Sequence, residues 1–251
     1  MPIFFRLVKY MIYGTFADCP VPYSFKYPDT EHYLRHYLTW NDEKCNEKTV
    51  SVTEQEFLDW KAFGRTVDGF GEFCLLCEQT SEFLLPKNRC VFHAVALSYH
   101  GDAWLLAAGS GVGKSTICRA MIEKYPNEIS VINGDKPVLR VNNDGSITVF
   151  PSPWTGKEGW QGAPAAKLSG IILLRRGSGT AIREANSAEA AHHVLLSIFQ
   201  SFTDEAMIRL AGTMAEKILK AVPSWVLVED NVSNAVELFY QTMKETHKND
   251  I

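Results

Sequence analysis

The strongest chemical signal in the chain is an eight-residue run, Ala108-Gly109-Ser110-Gly111-Val112-Gly113-Lys114-Ser115, followed by Thr116. Its alternating glycines let the backbone wrap closely, so that successive amide N–H groups point inward at an anion. Lysine and a hydroxyl residue directly after the last glycine fit the phosphate-binding pattern, with Ala108 in place of its first glycine. In that chemistry Lys114 neutralises the β- and γ-phosphates of ATP, and the Ser115 hydroxyl ligates Mg2+. The bland alternative is a strand-to-helix turn that holds nothing. The flanks argue against it. An apolar run ending at Ala107 precedes the loop, and an amphipathic run to Tyr125 follows. Together they supply the strand, and the helix N-terminus with its free N–H groups, that the motif requires.

Such a loop works with a carboxylate at the end of a neighbouring strand, which holds the metal or orients the nucleophile. Asp135 stands directly after the buried run "ISVIN" and is the candidate, as metal ligand with Ser115 and as catalytic residue with Lys114. A competing use of side chains is zinc. Cys74-x-x-Cys77 and Cys90-x-x-His93 have ligand spacing. Both stretches, "GEFCLLCEQ" and "RCVFHAVAL", read as half-buried strands, however, and residues three apart on a strand face opposite ways. On its own, His93 on an apolar strand reads as a core histidine.

The remaining pattern gives the frame. From residue 89 apolar strands alternate with amphipathic helices. Hairpins are expected around His100-Gly101-Asp102 and Asn143-Asp144-Gly145. Helices are expected near 187–201, 204–221 and 232–247, with a last strand at "SWVLVE" between the second and third. Residues 1–88 read as a smaller strand-rich region, apart from a short helix opened by the Thr53/Glu56 capping-box pair. The chain thus divides into 1–88 and a nucleotide-binding α/β domain over 89–251.

With 46% hydrophobic and 22% charged residues, the 251-residue chain has an ordinary globular composition. Its net charge of -4 argues against nucleic acid as a partner. No apolar run is long enough to span a bilayer. Arg6 and Lys9 interrupt the apolar N-terminal stretch, which reads as an opening strand rather than a secretion signal. A cytoplasmic protein is expected, with its six cysteines as free thiols.

Four stretches, "RCVFHAVALSYHGDAWLLAAGSGVGKST", "VINGDKPVLR", "FPSPWTGKEG" and "AAKLSGIILLRRG", together with the closing "VPSWVLVEDNVSNAVELFYQ", carry a family resemblance. Over about 89–246 the chain resembles the catalytic domain of the HPr kinase/phosphorylase family, in particular its short HPr-serine-kinase-like members, related to phosphoenolpyruvate carboxykinases. The resemblance implies a carboxykinase-like P-loop domain with a mixed, curved sheet. It places the family's histidine on His93, and the first of its paired aspartates on Asp135, acting as base or hydrogen-bond acceptor towards the receiving hydroxyl. "PSPWTG" would then be an active-site loop, from which Lys157 reaches phosphate. Implied, too, is an ATP-dependent kinase acting on a hydroxyl of a protein, peptide or small molecule, with homo-oligomerisation left open.

Two features depart from the family. Lys136 replaces the second aspartate, and the longer signature of the reverse, phosphorolytic reaction is missing, so HPr itself is not an expected acceptor. The Lys136 replacement leaves a second function open: a nucleotide-holding adaptor without turnover. Arg175 and Arg176, at a strand end, read as solvated.

Overall fold

The computed structural model describes residues 11–41, 47–199 and 204–249. Residues 1–10 of the expected opening strand, Cys45, and the end of the helix expected near 187–201 lie outside the described residues. Strands β1 (Met11–Phe16), β2 (Cys19–Tyr23) and β3 (Leu38–Asn41) form a small antiparallel sheet in the order β2-β1-β3. Between β2 and β3 lies a short helix, α1 (Thr30–Leu34). Two further helices follow, α2 (Glu54–Ala62) and α3 (Gly69–Leu84).

This part of the chain is less strand-rich than expected. The reason lies in α3, whose sequence "GFGEFCLLCEQTSEFL" contains the stretch read as a strand. Asp68 caps it, accepting from Gly71 N at 2.8 Å. Its buried residues, among them Phe73, Leu76, Cys77, Thr80 and Leu84, recur at helical spacing. Density of apolar residues, not alternation, was the signal there. The α2 expectation held, with both halves of the Thr53/Glu56 capping box present.

From residue 89 the order is β4 (Arg89–Val91), β5 (Ala94–Tyr99), β6 (Asp102–Ala107), α4 (Lys114–Lys124), β7 (Ile129–Asn133), β8 (Val138–Val141) and β9 (Ile147–Phe150). After these come β10 (Ala166–Arg176), β11 (Ala181–Glu184), α5 (Ser187–Ser197), α6 (Glu205–Ala221), β12 (Ser224–Glu229) and α7 (Val232–Asn249). These strands make one mixed sheet. Its main path is β4-β8-β9-β10-β6-β5-β7, with β12 pairing to β10 and β11. β10 runs parallel to β6 and β12, and the remaining pairs are antiparallel.

Strand periodicity sorts the core into two faces. Leu105, Ile171 and Leu173 pack with Val194, Met214 and Ile218 of α5 and α6. Trp104, Leu106 and Ile172 pack on the other side with Ile117 and Met121 of α4 and Phe239 of α7. A third cluster joins the small sheet and α3 to Val91 and Val138, which are paired across β4 and β8. The N-terminal elements therefore cover the end of the main sheet that borders the site.

Candidate functional site

β6 and β7 both run antiparallel to β5, so they point the same way. β10 and β12 share that direction, since β10 is parallel to both β6 and β12. The C-terminal ends of these four strands meet at one edge of the sheet, together with the start of β5. The topology alone thus brings together the glycine-rich loop after β6, Asp135 after β7, His93 before β5 and Arg176 at the end of β10. Such an edge is where open α/β sheets place ligands.

The loop joins β6 to α4, and α4 starts at Lys114. Gly113 has φ +120°, a backbone that side-chain-bearing residues rarely adopt. Lys114 is buried, and its Nζ donates to Ala108 O at 2.9 Å. Burial lowers its pKa, the charge of Asp135 works against that, and Lys136 adds to the lowering. The loop has support outside itself. Arg176 donates through Nε to Val112 O at 2.9 Å and pairs with Glu229 at 2.5 Å. Glu229 is only 2% exposed. Neither arginine is simply solvated, since Arg175 also pairs, with Glu189 at 3.1 Å. The strand-end pattern "LLRRG" did not show that two acidic partners wait on β12 and α5.

Asp135 is set by a buried hub that sequence reasoning missed. Asn133, the last residue of β7, is fully buried, and its Oδ1 accepts from the backbone N–H groups of Asp135 and Lys136 at 3.0 and 2.7 Å. Its Nδ2 donates to Ser152 O at 3.0 Å, which ties the turn to the "PSPWTG" stretch. An asparagine just before Gly-Asp was the available signal, because its side chain can close a turn over the next residues. On the other side, Gly156 (φ +72°) lies so close that a Cβ there would come within 2.9 Å of Asp135 Cβ. Trp154 itself is packing. It is 4% exposed, stacks between Phe16 and Phe73, and donates to Phe73 O.

His93 is held by its backbone, with N–H donating to Ser197 O at 2.7 Å. Its Nε2 lies 3.2 Å from Lys114 Nζ and 3.3 Å from Asp135 Oδ1. An ammonium only donates and a carboxylate only accepts, so one neutral imidazole tautomer satisfies one partner and not the other. The other carboxylate oxygen, Asp135 Oδ2, is taken by Lys136 Nζ. Burial pushes the Asp135 carboxyl up, but His93 and Lys136 outweigh it and hold the pKa down at about 2.

These groups line one cavity of about 710 Å³. Ser110, Gly111, Gly113, Lys114, Ser115 and Thr116 form one wall, and His93, Asp135 and Lys136 another. Ala108, Gly109 and Val112 contribute through the loop's frame, as carbonyl acceptors for Lys114 and Arg176. Arg65, Lys157 and Glu158 complete the charged lining. Arg65 comes from the turn between α2 and α3. Four cations, Arg65, Lys114, Lys136 and Lys157, thus face two carboxylates, in a chain that is acidic overall. The balance favours a polyanion.

For a metal, the donors are few. Among the described residues no group of three or more His, Cys, Asp or Glu could hold one. Cys74 and Cys77 lie on helix α3 rather than on a strand, so the strand geometry weighed against zinc does not apply to them. The five described cysteines are free. Asp135 and Ser115 line the same cavity, so a magnesium ion there would have one carboxylate from the protein and would draw its other ligands from phosphate and water.

No family model matches the chain, and no curated protein sequence matches it. One solved structure that is similar is the HPr(Ser) kinase/phosphatase from Coxiella burnetii, with 12% sequence identity and a TM-score of 0.38. The match covers 64% of this chain and 94% of that one. It is a distant likeness, from which neither family nor activity follows. No helix among the described residues is long and apolar enough to cross a membrane.

Proposed function

We propose that the chain binds ATP with its phosphates in the loop Ala108–Thr116 and transfers the γ-phosphoryl group to a hydroxyl acceptor. The observation that supports this reading most is that Lys114, His93 and Asp135 converge on one cation-rich cavity beside the N-terminus of α4. Phosphoryl transfer asks a protein mainly for positioning and charge stabilisation, and these groups supply both. Backbone N–H groups at the start of α4 and the Lys114 ammonium bind the phosphates. Ser115 and Asp135 are the residues that would hold Mg2+, which neutralises charge on the phosphates when bound.

Asp135 orients the acceptor. A general base works best with a pKa near the working pH, and this carboxyl is held at about 2. It therefore accepts a hydrogen bond from the hydroxyl and aims its oxygen at phosphorus, and the proton is released to solvent. The cation Lys136, set beside it, contributes charge where the family pattern has a second carboxylate. The test is transfer of radiolabelled γ-phosphate to a panel of hydroxyl compounds and serine peptides. Transfer that disappears in Asp135→Asn, with ATP binding kept, is the expected result. No transfer to any acceptor would sink the kinase assignment.

A second function rests on the same Lys136 contact. The lysine occupies one oxygen of Asp135, as it would in a nucleotide-holding adaptor without turnover. Lys136→Ala separates the two. An adaptor keeps its ATP affinity and still shows no transfer, while a kinase changes its transfer rate.

A further inference from the structure

A second cavity, of about 450 Å³, adjoins the first and shares Asp135, Lys136, Thr155, Gly156 and Lys157 with it. Its remaining walls differ in kind. They are Tyr33, Phe70, Phe73 and Trp154, with Pro153 and Cys74. The rings are already ordered against one another: Tyr33 stacks on Phe73 at 5.2 Å, and Phe73 stacks on Trp154 at 5.9 Å. Phe73 and Trp154 are buried, whereas Tyr33 and Phe70 stand 40% and 53% exposed. Large rings left in water beside a charged site call for an occupant.

Position decides which part of the reaction the chamber serves. None of residues 108–116 lines it, so it does not touch the phosphate loop. It borders Asp135 instead. In the bound nucleotide the γ-phosphoryl end lies towards Lys114, whose ammonium is 3.2 Å from His93, itself 3.3 Å from Asp135. The nucleoside end lies away from that group. In-line transfer puts the acceptor oxygen opposite the leaving oxygen, and so on the Asp135 side.

We infer that this chamber is the acceptor subsite, and that it takes a small alcohol carrying an aromatic ring. The inference rests on the phosphoryl-transfer reading above. The ring lies against Tyr33, Phe70 and Phe73, in the offset or edge arrangements that aromatic pairs prefer, and the hydroxyl reaches Asp135. The volume is that of a small-molecule pocket rather than of a docking face for a folded partner. In the step itself, a bond forms between the alcohol oxygen and the γ-phosphorus. The bond from that phosphorus to the β–γ bridging oxygen breaks, ADP leaves, and the hydroxyl proton passes to solvent.

The test uses the full chain with MgATP, and compares 2-phenylethanol with glycerol at equal concentration. Tyr33→Ala and Phe70→Ala are the variants, chosen because both side chains are exposed. The expected result is transfer to 2-phenylethanol in preference to glycerol. The KM for 2-phenylethanol should rise about 2- to 10-fold in each variant, the range of one aromatic contact, while the KM for ATP stays put. Equal transfer to glycerol, or an unchanged KM for the ring alcohol, overturns the subsite. A rise in the KM for ATP instead makes the chamber the nucleobase site and also overturns it. So does transfer confined to a serine peptide such as acetyl-Phe-Ser-amide. Transfer to no alcohol or peptide at all, with 2-phenylethanol binding still dependent on Phe70 by saturation-transfer NMR, fails the kinase reading and leaves a ring site without an acceptor role.

Discussion

The imidazole of His93 stands 3.3 Å from the carboxylate of Asp135, and the same nitrogen stands 3.2 Å from the ammonium of Lys114. Three chain segments distant in sequence meet there because β6 and β7 end where β5 begins. Changing any one of the three alters the charge seen by the other two.

Asp135 carries a pH signature. Its carboxyl sits at about 2 instead of 3.8, so the folded state binds this proton less readily than the unfolded chain does. The stabilisation is therefore present above the unfolded value and is lost as pH falls through the folded one. A shift of this size corresponds to about 2 kcal/mol. Urea unfolding of wild type and Asp135→Asn should differ by about that amount at pH 7. The gap should close between about pH 4 and pH 2. A gap independent of pH would show that the carboxylate is not held by His93 and Lys136.

Gly156→Ala should cost both activity and stability. The residue adopts φ +72°, and the new methyl would lie 2.9 Å from Asp135 Cβ. The left-handed backbone costs about 1–2 kcal/mol for a side-chain-bearing residue. Displacing Asp135 should reduce transfer by at least about 10-fold, since misplacement by about 1 Å can cost 100-fold. Thermal unfolding alongside transfer rates would show which loss is larger.

Arg176 ties the loop to the end of the sheet. Removing it in Arg176→Ala leaves Glu229, 2% exposed, without its partner, and frees Val112 O. An unsatisfied buried group costs about 1–3 kcal/mol or more. The double variant Arg176→Met, Glu229→Leu, which makes both partners apolar, should recover most of that stability in chemical denaturation. It should still bind ATP more weakly than wild type, because the loop contact remains lost. Recovery of full ATP affinity would reduce Arg176 to a surface ion pair.

Much of the main sheet was legible because its strands are mostly apolar runs bounded by turn residues or by amphipathic helices. The hairpins at His100-Gly101 and Asn143-Asp144-Gly145 appeared where their turn residues stand. β11 was missed because "AIRE" is exposed along one edge and carries no apolar run. α3 was misread because Cys, Phe and Leu crowd its sequence and mask the helical spacing of its buried residues. At the site, the loop and Asp135 could be found from residue type and spacing. The Asn133 hub left only a local trace, an asparagine just before Gly-Asp. The Arg176–Glu229 pair and the reach of Arg65 left none, since each depends on a contact across the sheet edge that no local pattern records.

The most direct measurement is ATP affinity by calorimetry, with and without Mg2+, for wild type, Lys114→Ala and Asp135→Asn. Lys114→Ala should weaken ATP binding by at least about 10-fold, since a charged hydrogen bond is worth about 1.5–3 kcal/mol. Asp135→Asn should still bind ATP but lose much of the gain that Mg2+ gives the wild type. If wild type binds no ATP under either condition, or Lys114→Ala binds it as well as wild type, the loop is not a phosphate site and the protein is not an ATP-dependent kinase of this design.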